Sequence, residues 1–431
     1  MIQQNVLPFK LKRSEERITA RSGLALYAEF MKAMRVTELV NQYLPKACSG
    51  NSYKASEYII PISLMLYGGG ENIEDVREIR GDATLRRITG LKGIPSVSAI
   101  GDWLRRMGER SGVAALEGIN VSLSREIMRR DKGNEYTLIA DPTIIEAGKR
   151  EAQMTYLGYK GYRPVVATIK ELGIAIAHEF KEGNDMGGRV DIIKKAFGVL
   201  PSGKTIGKVL LDSEYYSNEV MDYLHTTQAK WIIAGDKDRA VMRSIKNITE
   251  ESWKPFRTKD TVMTDREIAE TIHITEKGKE AFRLIVLRWR ENQGELFHDN
   301  YHYHCLATNM TKESNAEVIW IYNERAYIEN HIKEIKGGFG MERMPSGDFK
   351  GNAVHFGIGI MTYNLFIAQR FLTMPADWKN KTIKSIRWLL VETAGKLIEH
   401  GRMTILKIVT GVEKYMVCLE MRRRTYELLL E

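Results

Sequence analysis

Apolar residues recur at helical spacing through the first 130 positions. Leu24 to Val40 and Ser56 to Tyr67 carry helix-length patterns, and Asn72 to Ile88 is interrupted at Gly81-Asp82, a stop followed by an N-cap. Pro95-Ser96-Val97-Ser98 opens a further helix, Ala99 to Glu109, with Ser98 as its opening residue. Ile100, Trp103, Leu104 and Met107 form its apolar stripe, and Arg105, Arg106 and Arg110 lie outside that stripe. Two short helices about a tight turn, the second basic, suit a DNA-binding helix-turn-helix; a plain helical bundle suits the same pattern.

The periodicity changes at Glu135. Tyr136 to Glu146, Arg163 to Ile169 and Gly173 to Phe180 read as short β segments, followed by a helix over Val190 to Phe197. Lys208 to Leu211 and Lys230 to Ala234 read as buried strands with a helix, Asn218 to Thr227, between them. Three strands, helix, strand, helix, strand is a mixed α/β order. From Gly235 to Lys312 the clear runs alternate, over Ile268 to Thr275, Phe282 to Arg290 and Tyr301 to Thr308, which predicts a β-rich insertion before a strong helix near Ala316.

The domain expectation is therefore a helical DNA-binding region (1–130), an α/β core in two parts (131–234 and 316–400), a β-rich insertion (235–315) between them, and a basic C-terminal segment (401–431). The longest uncharged stretch, Gly351 to Gln369, includes Asn352, His355, Asn364 and several glycines, and reads as a buried core helix rather than a bilayer span. The first 22 residues lack the apolar stretch of a signal peptide. Cys48, Cys305 and Cys418, three thiols in 431 residues, form no close pair. Neither a disulfide framework nor a thiolate metal knuckle follows, and a cytoplasmic location is expected.

Charge sharpens this picture. The net charge is +9. Residues 1–130 hold 20 basic against 14 acidic groups, residues 331–431 hold 16 against 10, and the middle is slightly acidic. Basic ends around a carboxylate-bearing centre suit a polyanion-binding protein, although a solvated basic surface gives the same balance.

Within that centre, Asp141 interrupts the apolar run Leu138-Ile139-Ala140, and a buried carboxylate must be paired, capped or bound to a cation. Asp212 ends Val209-Leu210-Leu211, at the carboxyl end of a strand, where α/β sheets bind ligands. Either Asp alone also suits a turn or an N-cap. On a uniform helix turning roughly 100° per residue, Tyr322, Arg325, Glu329, Lys333 and Lys336 share one face, beside an apolar stripe of Ile321, Ile328, Ile332 and Ile335. That projection sets Glu329 at the edge of the buried interface and turns Glu324 and Glu334 away from it.

The spacing of Tyr322, Arg325, Glu329 and Lys336 resembles the Tyr-Arg-Glu-Lys motif of a group of prokaryotic DDE insertion-sequence transposases. The order Asp141, Asp212, Glu329 resembles the same group, including members with a β-strand insertion between the second Asp and the Glu. Ile79-Arg80-Gly81-Asp82, Tyr156-Leu157-Gly158-Tyr159, Tyr162-Arg163-Pro164, Glu182-Gly183-Asn184 and Asp212-Ser213 look like one subgroup of it. The likeness spans about residues 70 to 400.

The resemblance implies an RNase H-like fold in which Asp141, Asp212 and Glu329 hold two Mg²⁺ ions, with Mn²⁺ as a substitute, for two-metal phosphoryl transfer. It implies that Arg325 and Lys336 hold phosphates, that Tyr322 positions the DNA end, and that the chain nicks element ends and joins their 3′-OH to target DNA. Double-stranded DNA is the implied partner, with a homodimer in the synaptic complex and a nucleoid-associated location. A catalytically inactive DNA-binding derivative and a nuclease without strand transfer are the competing readings.

Two departures stand out. Pro142 removes a ladder donor, so a bulge or strand break is expected there. Glu214 stands where a small residue is common, and a solvent-facing position is favoured for it over a fourth metal carboxylate. His302-Tyr303-His304-Cys305 reads as a strand, not a zinc cluster, because alternation splits the histidines from Cys305. Lys149, Arg150, Tyr156, Tyr159, Lys160, Tyr162 and Arg163 interleave base and aromatic as in a DNA-contacting loop or a hairpin with a solvated face. Trp289 is a candidate for stacking on a flipped base, although its apolar neighbours favour a structural role.

Overall fold

The computed structural model describes residues 12–46, 52–290, 301–401 and 403–430, so Cys48 lies outside the described residues. The first expected helix is two, α1 (Leu24–Ala33) and α2 (Val36–Tyr43), because Arg35 takes a left-handed φ of 55° and turns the chain. α3 spans Ala55–Tyr67. At the Gly81-Asp82 interruption the Asp82 carboxylate accepts from the Leu85 amide and caps the helix Ala83–Thr89. The cap of α4 (Val97–Gly108) is Ser96, whose hydroxyl accepts from the Ala99 amide, so the helix opens ahead of Ser98. Residues 90–96 separate these two helices, more than the three or four of a helix-turn-helix, and the bundle reading replaces it. α5 (Gly112–Arg130) completes the N-terminal helices.

The centre is one nine-stranded sheet: β1 (Glu135–Pro142), β2 (Val165–Ile169), β3 (Ala175–Glu179), β4 (Thr205–Leu211), β5 (Lys230–Ala234), β6 (Lys254–Arg257), β7 (Met263–His273), β8 (Phe282–Arg290) and β9 (Tyr301–Thr308). Its order is β6-β7-β8-β9-β5-β4-β1-β2-β3. β1, β2 and β3 form an antiparallel meander, while β4 and β5 join β1 in parallel through the crossover helices α6 (Arg189–Val199) and α7 (Asn218–His225). This is an RNase H-like core. The β-rich insertion extends the same sheet, since β9 pairs antiparallel with β5, Leu306 opposite Ala234. β1 ends at Pro142, its last rung opposite Val165, so the expected break falls there, while a bulge in its pairing with β4 lies further back, at Tyr136/Thr137.

Strand alternation sorts the side chains onto two faces. Leu138, Ala140, Val209 and Leu211 enter one core with α3, α4, α5 and the helix α10 described below; Ile139 and Leu210 enter the other with Val318, Ile328 and Ile332. That second face is covered by α8 (Asn315–Asn323) and α9 (Tyr327–Lys333).

The first face packs on α10 (Phe349–Leu372), which is buried without a break from Gly351 to Gln369. Within it Asn364 accepts from the Ala175 amide at 2.8 Å and donates to the Ala175 carbonyl and to Asn120, whereas Nδ1 of the buried His355 has no partner among the described residues. Among the described residues no helix is long and apolar enough to cross a membrane. The N-terminal helices share this core with α10 and with Met421 of α11 (Val412–Leu430), so both ends of the chain pack together.

Candidate active site

Asp141 lies two residues beyond Ile139, and Asp212 two beyond Leu210, so alternation turns both carboxylates toward the face under α8 and α9. Their strands are parallel neighbours in register at Ala140 and Leu211, which puts the two Asp on the next rung. Burial, and then the carboxylates of Asp212 and Glu214, push Asp141 up to about 7 against the opposing pull of Arg325. Asp212 is also raised, by burial and then by Glu214. Its side chain accepts from the Glu214 amide at 3.1 Å, capping the short turn Ser213–Tyr215.

The helix bearing the Tyr-Arg-Glu-Lys spacing is not uniform. A 3₁₀ turn at Glu324–Ala326 separates α8 from α9, and a π turn, Glu334–Gly338, ends it. Each changes the angular step, so a single 100° projection drifts. Tyr322, Arg325 and Lys336 come to the carboxyl end of β1. Arg325 donates to Asp141 at 3.2 Å, and Lys336 donates to the Ile144 carbonyl at 2.6 Å. Burial disfavours the Arg325 charge, but Tyr322, Asp141 and Asp212 outweigh it and raise its pKa. Tyr322 is buried against His304, ring centroids 5.9 Å apart.

Glu329 and Lys333 are exposed and make no hydrogen bond or ion pair among the described residues. Glu329 stands one turn beyond Arg325 but does not meet the two Asp, and among the described residues no three acidic, His or Cys side chains converge as a metal site. The expectation that Glu334 projects away from the interface fails: it is half-buried, burial raises its pKa, and it accepts from the Ile383 amide at 2.5 Å. Glu324 pairs with Lys170 at 2.5 Å.

Glu214 does not face solvent. It forms an ion pair with Arg163, whose side chain is only 3% exposed, and Arg163 also donates to the Asp185 carbonyl. Sequence reading missed this pair; the signal was an Arg flanked by the apolar Tyr162 and Pro164, in need of a carboxylate.

Trp289 packs between Arg266, 4.7 Å from the ring centroid, and His302 on the paired strand. Arg105 is exposed and paired with Asp102, and Arg106 is exposed, both off the buried stripe of α4. In the loop after β1, Tyr162 and Arg163 are buried, so that part of the base and aromatic series does not meet solvent.

Among solved structures the chain is similar to a piggyBac transposase in a synaptic complex with hairpin DNA, at 10% identity and a TM-score of 0.48, covering 88% of this chain and 82% of that one. No curated protein sequence matches. The family model described as transposase DDE domain group 1 matches residues 7–423. That match takes in Asp141, Asp212 and Glu329 together with the helical and β-rich regions around them, and the chain belongs to this transposase DDE family.

Proposed function

We propose that this transposase binds the terminal inverted repeats of a prokaryotic insertion sequence, cleaves the ends, and joins the freed 3′-OH to target DNA. The observation that carries this reading is the convergence of Asp141 and Asp212, from adjacent parallel strands, with Arg325 and Lys336 from one helix. The pair suits a hard cation: both are carboxylates, both are raised by burial and by acidic neighbours, and only Arg325 offsets their charge directly. Asp141 and Asp212 would hold Mg²⁺ or Mn²⁺, with Glu329, which stands apart from the pair here, as the third ligand drawn in when the ion and DNA bind; the metal when bound supplies nucleophile activation and leaving-oxygen stabilisation for in-line phosphoryl displacement.

The chain's own groups do the rest. Arg325 presents a bidentate fork and Lys336 a point charge beside the carboxylates, the two kinds of donor that hold phosphate oxygens. Tyr322, with its ring packed on His304, orients Arg325. Lys333 adds exposed positive charge, Trp289 offers a ring at the outer end of the sheet, and Arg105 and Arg106 of α4 form the leading contact to double-stranded ends. Two copies are expected in the synaptic complex.

The test is to incubate the full chain with duplexes carrying its flanking genomic ends and Mg²⁺, and to map 3′-OH and joined products. Cleavage and joining, both lost in Asp141→Ala, support the proposal. Cleavage without joining assigns a nuclease, and binding without either assigns an inactive derivative. Arg105→Ala with Arg106→Ala should lower both affinity and its salt dependence, with a log-log slope of about −0.9 for each phosphate contact.

A further inference from the structure

Four of the short stretches singled out in the sequence meet at one place. The chain leaves β1 and forms a small sheet from Ile145–Glu146, Lys160–Tyr162 and Gln153–Met154, with Lys160–Tyr162 in the middle. Its hairpin tip is Tyr156-Leu157-Gly158-Tyr159. The tip is closed by the Thr155 amide and hydroxyl, both donating to the Tyr159 carbonyl at 2.8 Å, and Gly158 supplies the φ of +86° the turn requires.

Below the tip, Glu182 bridges to Tyr162, and a side chain at Gly183 would meet the Gly161 carbonyl at 2.7 Å. Arg163 then ties the base of the hairpin to Glu214, two residues from Asp212. The hairpin base is thus joined through one ion pair to the turn that carries Asp212.

The tip itself carries apolar side chains that nothing covers. Tyr156 is 72% exposed, and Leu157 and Met154 are each 52% exposed. Lys160, paired with Met154, adjoins them and has no carboxylate partner among the described residues. From Asp141 to Ala147 the chain spans at most roughly 20 Å, and the Ala147 amide bonds the Lys160 carbonyl at 2.9 Å. With about 5 Å across that pairing and three more residues to Leu157, the tip lies within roughly 35 Å of the carboxylates, about ten base-pair steps at 3.4 Å per step. An exposed aromatic and leucine at the tip of a hairpin, beside a lysine with no carboxylate partner among the described residues, has the chemistry of a wedge that enters between bases, with a phosphate meeting the lysine.

We propose that the Tyr156-Leu157 tip inserts into DNA held at the Asp141–Asp212 centre, with Tyr156 stacking on an unpaired base and Leu157 filling the opened step. This rests on the transposase reading. It adds a partner surface that strand cleavage alone does not require.

The experiment uses the full chain without divalent metal and two duplexes of one sequence, one intact and one carrying a single unpaired 2-aminopurine. The wild type is expected to bind the interrupted duplex about tenfold more tightly and to quench its fluorescence, as one base stacked on an aromatic ring implies. Tyr156→Ala and Leu157→Ala should lose the preference and the quench while keeping affinity for intact duplex and an unchanged melting temperature. Tyr156→Phe should restore both. Equal binding of the two duplexes by the wild type, or undiminished quenching in Tyr156→Ala, overturns the wedge and leaves the transposase reading standing. Failure of the wild type to bind either duplex overturns both.

Discussion

The two faces of the central sheet are covered by helices built in opposite ways. α10 runs 24 residues without a break on one face, buried from Gly351 to Gln369, with Asn352, Thr362 and Asn364 fully bonded inside. On the other face, the run from Asn315 to Gly338 changes from α to 3₁₀ to α to π, and keeps Glu329 and Lys333 in solvent. α10 spends its sequence on packing. The α8–α9 run holds charge over two carboxylates, with Arg325 on Asp141 and Lys336 on the Ile144 carbonyl, while Glu329 and Lys333 of the same projected face stay in solvent. A helix made to pack tolerates little change in shape, whereas one made to present charge tolerates little change in chemistry.

The sharpest break in that contrast is Asp141→Asn. Cleavage should fall by about a thousandfold or more, roughly 4 kcal/mol of barrier, while the melting temperature holds or rises because a raised, buried carboxyl is removed without loss of packing. Glu329→Gln should cost a comparable factor. Full activity in Glu329→Gln would move the third carboxylate elsewhere, with Glu214 the nearest acid to Asp212.

On the α10 side the effect should fall on stability instead. Asn364→Leu leaves the Ala175 amide and Oδ1 of Asn120 without their partners, and about 3 kcal/mol or more should be lost in urea unfolding. Activity per folded molecule should be preserved. A loss of activity larger than the loss of folded protein would show that the two faces are not independent.

Acid tests both faces together. His178 and His355, against or within α10, and His331 of α9 are each held by burial at about 4. Unfolded histidines titrate near 6.5, so between these values the unfolded chain binds more protons. Stability is therefore fully present above about pH 6.5 and declines toward pH 4, by about 1.4 kcal/mol per pH unit for each histidine. His273 and His304 are lowered by burial as well, so His331→Gln should flatten the slope of stability against pH by about 1.4 kcal/mol per unit rather than abolish it; an unchanged slope would show that His331 does not contribute to the acid sensitivity.

The smallest expected effect is at Glu334, which bonds the Ile383 amide at the π turn. Glu334→Gln should cost about 1 kcal/mol of stability with cleavage unchanged, since a neutral acceptor remains and no carboxylate of the site is touched. A drop in cleavage beyond the loss of fold would make Glu334 part of the chemistry.

Local pattern was enough for the elements. The runs Phe282 to Arg290 and Tyr301 to Thr308 coincide with β8 and β9, and Lys230 to Ala234 with β5, because short runs rich in β-branched and aromatic residues, bounded by polar turns, specify strands from side-chain order alone, even though packing on both faces buries consecutive residues. Strand alternation, with Ile139 and Leu210 as markers, also contains the facing of Asp141 and Asp212. What the order of residues left open were contacts between distant segments and small changes in winding. That the insertion would extend the core sheet depended on β9 finding the edge of β5, and that Glu214 would be buried depended on Arg163, 51 residues earlier. The 3₁₀ and π turns that separate Glu329 from Tyr322, Arg325 and Lys336 likewise arise where the helix fits its neighbours. Side-chain periodicity is a property of the chain alone, but the angular step of a helix and the partner of a buried charge are settled by packing, so only the tertiary structure decided them.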